Sequence, residues 1–248
     1  IEARYAKNTN NVEEIAGGAS SVALGPSVNG LTVEATNGAA LGALVGNAFQ
    51  RDPATGALLL QAGHPIPETK PRVLGVMAPD WIGGANSTFH VGAVEVTALV
   101  DARIGGKVFS TSNMAGATSG TLAETSFRPD TGLLLSGIDV ATGKANTQHV
   151  STEAYYHSLA AIQERWVYDA SVVKLRDIRF TVALPLRMLP VLSAQSFRMA
   201  LIGRNLAMWT KAANIDPETA LSVSSFQGIE MGQLPTARSV GFQLSITP

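Results

Sequence analysis

Six segments of the chain alternate apolar and polar residues with a period of two, which predicts six extended strands. They are Ile1–Asn8, Gly84–Val91, Val94–Ile104, Val172–Leu184, Ser196–Thr210 and Arg238–Pro248. The last segment shows the pattern most clearly, because Val240, Phe242, Leu244 and Ile246 fall on one face and small or polar residues fall on the other. Its length suits a tilted strand that crosses a bilayer, which takes about 9–11 residues.

The connections between these segments alternate between short and long. Gly92 and Ala93 form a tight hairpin, and Pro185–Gln195 is a short turn marked by proline. The connections 9–83, 105–171 and 211–236 are long. Short turns at one end and long loops at the other are typical of outer-membrane barrels. Long structureless loops are uncommon in compact soluble domains.

The order of the segments predicts an antiparallel transmembrane sheet with its C-terminus on the periplasmic side and its long loops outside. The loops contain some structure of their own. Turn signals at 37–38, 52–53 and 55–56 predict small hairpins within residues 31–63. Residues 152–165 read as one short helix capped by Ser151 or Thr152, and residues 110–150 read as irregular.

Composition limits the possible classes of protein but does not decide between a membrane barrel and a soluble β protein. The chain has 18 basic and 19 acidic residues, so no broad attraction to nucleic acid is expected. Charged residues are 15% of the chain, below the roughly 25% usual in soluble domains. No apolar run reaches the roughly 18 residues of a membrane helix. A barrel that alternates lipid-facing and lumen-facing residues gives this composition, and so does a glycine-rich soluble β protein.

The sequence offers little catalytic chemistry. The chain has no cysteine, and its four histidines, at 64, 90, 149 and 157, lack a partner at metal-site spacing. It has no nucleophile elbow and no phosphate-binding loop around Gly105 and Gly106. We therefore expect no enzymatic activity, no cofactor and no metal site.

The charged residues of the predicted strands are segregated from the large apolar ones. Candidate lumen-facing residues are Asp101, Arg103, Asp177, Arg179, Arg198 and Arg204. Candidate lipid-facing residues are Ile178, Phe180, Val182, Phe197, Leu201, Val240, Phe242, Leu244 and Ile246. A basic side chain on the lipid face would cost about 2–4 kcal/mol at mid-membrane, which gives this segregation an energetic reason.

Aromatic residues gather where the predicted strands meet the loops. They are Trp81, Phe89, Phe109, Trp166, Tyr168 and Trp209. Either an interfacial girdle or packing within the loops accounts for them. Tyr155 and Tyr156 suit stacking on a sugar or, more simply, a buried core within the loops.

Several blocks of the sequence resemble SusC/RagA-type TonB-linked outer-membrane proteins. Residues 167–177 are similar to that family's "VYDASYVKLREV", and residues 201–210 are similar to its "GRNL…WT" strand. Residues 214–218 resemble "GIDPE", and residues 234–239 resemble the "PxxRS" entry to the last strand. Upstream, residues 73–84 resemble "VLG…PDWxGG", and residues 104–109 resemble "GGDVF". Two positions depart from the family: Pro248 stands where many barrels end in an aromatic residue, and Asp177 replaces a common Glu.

The resemblance implies that residues 1–248 are the C-terminal part of a TonB-dependent receptor barrel of about twenty-two strands. The plug, TonB box and signal peptide of such a protein are not in this sequence. The implied function is import of glycans, oligosaccharides or peptides across the outer membrane. The implied partners are a SusD-like surface lipoprotein, the TonB complex acting through the N-terminal part, and outer-membrane lipid.

A soluble or cell-surface all-β carbohydrate-binding module without transport activity is the alternative. It places Phe242 and its apolar neighbours in a protein core instead of in lipid. A second sheet or helix covering Phe180, Leu201 and Phe242 would favour that alternative and contradict the membrane interpretation.

Overall fold

The computed structural model of the chain describes residues 1–184, 196–219 and 226–247. The structure is mostly antiparallel β-sheet, as the sequence predicts, with two short helices. The strands in chain order are β1 (Glu2–Ala6), β2 (Ser21–Ala23), β3 (Thr32–Thr36), β4 (Ala43–Gly46), β5 (Leu59–Gln61), β6 (His64–Pro65), β7 (Arg72–Val76), β8 (Trp81–Val91), β9 (Val94–Ile104), β10 (Lys107–Ser110), β11 (Leu133–Leu134), β12 (Ile138–Asp139), β13 (Lys144–Ala145), β14 (His149–Val150), β15 (Val167–Asp169), β16 (Val172–Leu184), β17 (Ser196–Thr210), β18 (Ile229–Glu230) and β19 (Ser239–Thr247). The helices are α1 (Thr111–Thr118) and α2 (Thr152–Ser158).

Six long strands form one sheet, which we call the large sheet, in the order β1-β8-β9-β16-β17-β19. Every neighbouring pair in it is antiparallel. These are the six strands that period-two alternation predicts. Their bounds differ only at the ends: β8 begins at Trp81, earlier than predicted, and β1 is limited to Glu2–Ala6. The predicted turn 185–195 and Pro248 lie outside the described residues.

The strand connections emerge at opposite ends of the large sheet. Gly92, at φ 61°, turns the chain directly from β8 into β9 at one end. The long segments 7–80, 105–171 and 211–238, of which residues 220–225 are outside the described part, all leave from the other end, which we call the loop end. The loop end is therefore built from three segments that are far apart in sequence, and it is large enough to have a core of its own.

The three long segments pack together into a layer, which we call the loop layer. Its described residues form two four-stranded sheets, a three-stranded sheet and a two-stranded sheet, all made of short strands. The hairpin of β3 and β4 confirms that residues 31–63 form small hairpins. The core of the loop layer consists of Leu31, Val33, Leu44, Phe109, Ala117, Leu159, Ile162, Trp166 and Ile229, each at most 2% exposed.

The helices differ from the sequence prediction in two places. The predicted helix 152–165 ends at Ser158 and continues as 3₁₀ turns at 159–161 and 163–166. The Ser151 hydroxyl caps α2 by accepting a hydrogen bond from the amide of Ala154. Residues 110–150 are not wholly irregular, because they contain α1, which begins after a Ser110 cap. The small residues of α1 form no clear apolar stripe, so periodicity could not reveal it.

A bulge interrupts β16 between Leu175 and Asp177, where the register against both neighbouring strands shifts. Asn205 of β17 lies beside the bulge in the left-handed conformation, at φ 51°. A bulge adds a residue to one strand and redirects its side chain. Here the added residue is Arg176, which turns toward the loop layer.

Gly105 and Gly106 link the end of β9 to the loop layer through two consecutive left-handed residues, at φ 81° and 78°. A Cβ on Gly105 would collide with Asp80, and one on Gly106 would collide with the carbonyl of Met77. Only glycine fits this crossing without strain. Among the described residues, no helix is long and apolar enough to span a membrane.

Candidate functional site

The large sheet has one polar face and one apolar face, which its strand register defines. All of the candidate lumen-facing residues lie on the polar face: Asp101, Arg103, Asp177, Arg179, Arg198 and Arg204. All of the candidate lipid-facing residues lie on the apolar face: Ile178, Phe180, Val182, Phe197, Leu201, Val240, Phe242, Leu244 and Ile246. The strand register therefore places each set together on one face of the sheet. What each face contacts stays a prediction.

The apolar face is continuous across strands as well as along them. Phe89, Val96, Phe180, Leu201 and Phe242 lie opposite one another on five neighbouring strands. Directly paired side chains on one face have Cβ atoms about 4.5–5.5 Å apart, so these residues form an unbroken apolar row. The next rows of side chains on this face, toward the end of the sheet that carries the Gly92 hairpin, are also apolar.

No described residue covers this row. Phe180 is 43% exposed, Leu201 is 52% exposed and Phe242 is 59% exposed. A soluble monomer rarely leaves a large contiguous apolar patch open to water. The second protein layer that the binding-module interpretation requires is not present among residues 1–184, 196–219 and 226–247.

The aromatic residues divide between the two arrangements that the sequence left open. Trp81, Phe89 and Trp209 lie on the apolar face, where Trp81 packs against Tyr5 at 5.8 Å between ring centroids. The interfacial assignment is wrong for Phe109 and Trp166, which are buried in the loop core. Tyr168 packs partly buried in the loop layer.

The two candidate sugar-stacking tyrosines also pack in the loop layer. Tyr155 and Tyr156 contact each other edge to face, with ring centroids 5.0 Å apart, and both pack against the loop core. The Tyr156 hydroxyl donates to the carbonyl of Glu124 at 3.0 Å. Burial raises the pKa of Tyr155 above its ordinary value. These contacts favour the interpretation of a buried loop core over sugar stacking.

At the loop end of the polar face, charged side chains from two strands and one loop form a cluster. We define the ionic cluster as Lys174, Arg176, Asp101, Asp216 and Glu218. The Lys174 ammonium donates to both Asp216 oxygens, at 2.7 and 2.6 Å, and lies 2.6 Å from Glu218. Arg176 donates to both Glu218 oxygens at 2.7 Å and to Asp101 at 3.0 Å. Each cation of the ionic cluster thus contacts two carboxylates, which compensates its charge as burial requires.

The carboxylate of Asp216 is the most enclosed acceptor of the cluster. Asp216 and Lys174 are each 2% exposed, and the Thr236 hydroxyl also donates to Asp216 at 2.6 Å. Burial alone would raise the pKa of Asp216, but the hydrogen bonds from Lys174 and Thr236 outweigh it. The pKa of Asp216 is therefore below its ordinary value, and the group is charged at neutral pH.

The ionic cluster joins three of the sequence blocks on which the family resemblance rests. Lys174 and Arg176 come from the first block, Asp216 and Glu218 from the "GIDPE" block, and Thr236 from the "PxxRS" block. Sequence reasoning selected only Asp101 of the ionic cluster, as a candidate lumen-facing residue, and did not select the residues from these three blocks. The signal available was the break in alternation at residues 174–177, where the bulge lies.

A concave cavity of about 750 Å³ lies on the polar face beside the ionic cluster. Its walls include Arg4, Asn86, Leu99, Asp101, Arg103 and Glu218. Arg103 donates to the carbonyl of Met77 at 3.1 Å, while its buried Nε has no partner among the described residues. The volume lies within the range of small-molecule sites, about 300–1,000 Å³.

A second buried carboxylate fixes the loop layer. Glu230 is 1% exposed and accepts hydrogen bonds from the hydroxyls of Ser110 at 2.7 Å and Ser112 at 2.6 Å. It thus lies at the start of α1, where the helix dipole favours negative charge. Arg165 makes a two-pronged contact with Glu124 at 2.8 and 2.9 Å. The Glu230 contacts are buried, the Arg165–Glu124 contact lies nearer the surface, and both join separate parts of the loop layer, which indicates a structural role.

The described residues include no group of three or more His, Cys, Asp or Glu placed to hold a metal ion. No known protein family matches the chain by sequence. No curated protein matches it either.

Solved structures do resemble the fold. The structure of the RagAB peptide transporter matches with a TM-score of 0.64 at 14% identity, and the RagAB peptide importer in its "open-open" state matches with 0.63 at 14%. The "closed-closed" state matches with 0.60 at 15%. Each match covers 98% of this chain and 26% of the other, so this chain spans about a quarter of those proteins' length. The chain therefore has the fold of one portion of a RagAB transporter chain.

Proposed function

We propose that the chain forms part of the wall and the external loops of a SusC/RagA-type TonB-dependent transporter of the outer membrane. The observation that carries this proposal is the uncovered apolar row on a sheet whose opposite face is polar and charged. Hydrocarbon on one side and a water-filled lumen on the other account for both faces at once. The similarity of fold to a transporter supports the same conclusion.

The dimensions of the apolar face suit a bilayer. From Trp81 to Phe89 along β8 is roughly 26 Å at about 3.3 Å per residue, close to the ~25 Å apolar band of outer-membrane barrels. Tyr5, Trp81 and Trp209 lie at the loop end of this band. Amphipathic aromatic rings at the edge of an apolar band are typical of membrane interfaces.

The proposed topology places the loop layer outside the cell and the hairpin at Gly92 in the periplasm. The large sheet has open edges at β1 and β19. In the proposed barrel both edges pair with other strands of the transporter, since closure removes unpaired backbone groups from lipid. The external loops would then be available to a SusD-like surface lipoprotein, and the rest of the protein to the TonB complex.

The proposed solutes are peptides, with oligosaccharides as the second class. The chains with a similar fold are described as peptide transporters, and this supports peptides as the first solutes to test. The chain would act as a passive wall and would carry out no chemistry on the solute. The alternative of a soluble carbohydrate-binding module gains no support, because that interpretation needs a covered apolar face.

Fractionation and uptake test the proposal on the full-length protein that contains this chain. We expect it in the outer-membrane fraction, extracted only by detergent, with a mobility on denaturing gels that changes on heating. Cells lacking the protein should lose uptake of labelled peptides, and re-expression should restore it only when TonB is present. A freely soluble monomer would overturn the proposal.

A further inference from the structure

We propose that Arg179, Arg198 and Arg204 form an arginine stripe that binds the carboxylates of acidic peptides as they pass along the polar face. This inference rests on the proposed function and names a class of solute for it. The three side chains belong to the adjacent strands β16 and β17. No cofactor or metal is needed, because the interaction is electrostatic.

The strand register places the three arginines on one face and close together. Arg179 pairs with Ile202 of β17, and Arg204 lies two residues further along that strand on the same face. This is a diagonal pair, with a separation of about 7–8 Å. Arg198 lies four residues from Ile202 in the other direction, or roughly 13 Å at the rise of a strand. The stripe therefore runs along β17 for roughly 20 Å.

The stripe carries positive charge that the described residues do not neutralise. Arg179 and Arg198 make no hydrogen bond or ion pair with residues 1–184, 196–219 or 226–247. Arg204 has one contact of 3.4 Å with Asp177, and its side chain is 60% exposed. Across the sheet, Glu95 lies diagonally opposite Arg179 and faces His90 at 3.6 Å.

The ionic cluster, on the same face, has the opposite character. There Lys174 and Arg176 are each held by two carboxylates at 2.6–3.0 Å. Strand β16 thus presents two compensated cations, Lys174 and Arg176, beneath the loop layer and one uncompensated cation, Arg179, farther from it. An uncompensated guanidinium group offers five donors in a fixed fork that matches a carboxylate, so the stripe selects anionic ligands.

The spacing of the stripe favours an extended peptide. In an extended chain, side chains on one face repeat about every 6.6 Å. Acidic residues two positions apart match the separation of Arg179 and Arg204, and acidic residues four positions apart match that of Arg179 and Arg198. A peptide lying along β17 can therefore present carboxylates to all three arginines without bending.

Uptake of matched peptides by cells expressing the full-length protein tests the stripe. The probes are an octapeptide that alternates Glu with Ala and its counterpart that alternates Gln with Ala. In the double variant Arg179→Gln/Arg198→Gln, we expect the half-saturating concentration of the Glu peptide to rise about tenfold, as loss of charge-assisted contacts implies. The Gln peptide should stay within about twofold, and added salt should shrink the difference between the peptides.

Arg72→Gln is the control, because it removes an arginine charge from β7 in the loop layer, where Arg72 is already paired with Glu68 at 3.3 Å. It should leave the preference for the Glu peptide unchanged. An equal loss of both peptides in the double variant, with a lower heat resistance of the folded protein, would assign the arginines to contacts inside the transporter and overturn the proposal. No change for either peptide would also overturn it.

An oligogalacturonate probe separates peptides from other carboxylate-bearing solutes. If its uptake depends on the two arginines and that of the Glu peptide does not, the stripe recognises carboxylates but the choice of peptides is wrong. Uptake by the wild type distinguishes the two proposals. A wild-type protein that takes up neither peptide contradicts peptides as the solutes of the proposed transporter, whereas uptake without a preference dependent on the arginines contradicts only the stripe.

Discussion

The loop layer and the large sheet bury their apolar residues in different ways. In the loop layer, Phe109 and Trp166 are fully buried by protein atoms contributed from three long segments. In the large sheet, Phe180 and Phe242 are about half exposed and nothing among the described residues packs over them. The same residue type is thus enclosed by protein in one region and left open in the other. Under the proposed function, this contrast reflects two different surrounding media, water for the loop layer and lipid for the sheet.

The polar residues follow the same division. Two buried charges, Lys174 at the junction of the loop layer with the sheet and Glu230 in the loop layer, are fully hydrogen-bonded. On the polar face of the large sheet, away from the loop end, Arg179 and Arg198 remain free of partners within the described residues. Complete pairing is what a sealed protein interior requires, and free charges are what a wetted surface tolerates. Four predictions test this division, beginning with the largest expected effect.

Removing the cation of the ionic cluster should have the largest effect. We expect Lys174→Met to lower the local unfolding free energy of the loop around Asp216 by about 3–5 kcal/mol, because a buried carboxylate loses its partner. Native-state hydrogen exchange at residues 214–218 measures this in the full-length protein. The double variant Lys174→Met/Asp216→Leu should recover most of the loss. A cost below about 1 kcal/mol, as for an exposed pair, would show that the cluster is solvated.

The same phenylalanine truncation should affect the two regions differently. Phe109→Ala should cost the loop layer about 3–5 kcal/mol, since it leaves a cavity in a packed core. Phe180→Ala should cost clearly less, since surrounding lipid can fill the space. Unfolding of both variants in lipid vesicles, followed by urea titration and by hydrogen exchange, gives the comparison. Equal costs would mean that Phe180 is also packed against protein.

A charge placed on each face of β17 tests what the faces contact. Leu201→Arg, on the apolar face, should lower the free energy of unfolding in lipid vesicles by about 2–4 kcal/mol. Ile202→Arg, its neighbour on the polar face, should cost much less and serves as the control. If the two substitutions cost the same, the apolar face is not in hydrocarbon.

Acid should weaken the junction between the loop layer and the sheet. Because the pKa of Asp216 is lowered in the folded protein, its contribution to stability is complete above the unfolded value of about 3.9. It is lost as pH falls through the lower folded value, at about 1.4 kcal/mol per unit of the pKa difference. Amide protection factors, which correct for the intrinsic pH dependence of exchange, should fall at residues 214–218 below pH 4 in the wild type. Asp216→Asn should reduce this pH dependence, and an unchanged dependence would assign it to another group.

The strands of the large sheet were predictable because alternation is a local property. β9, β16 and β17 have the bounds that the pattern predicts, and the hairpin at Gly92 follows from the two residues between the strands. The face of each candidate residue was predictable for the same reason, since side chains on a strand alternate. The helix α1 was missed because its small residues carry no apolar stripe. The predicted helix 152–165 was too long because tertiary packing converted its second half into 3₁₀ turns.

The ionic cluster could not be assembled from the sequence, although its residues stand in recognisable blocks. Lys174 and Asp216 are far apart in the chain, and a bulge at Arg176 reverses the local alternation. The arginine stripe required the register of β16 against β17, since sequence fixes which face a residue takes but not which residue lies opposite.

The sequence alone determined that each of the six strands has one apolar side and one polar side, because period-two alternation is a local property of each strand's sequence. Which strands lie side by side, so that their apolar sides form one uncovered surface, was decided only by the tertiary structure. The same holds for the loop layer, which buries a separate hydrophobic core. The physical reason is that exposure and pairing depend on contacts between segments distant in the chain. Such contacts are set by the folded arrangement as a whole.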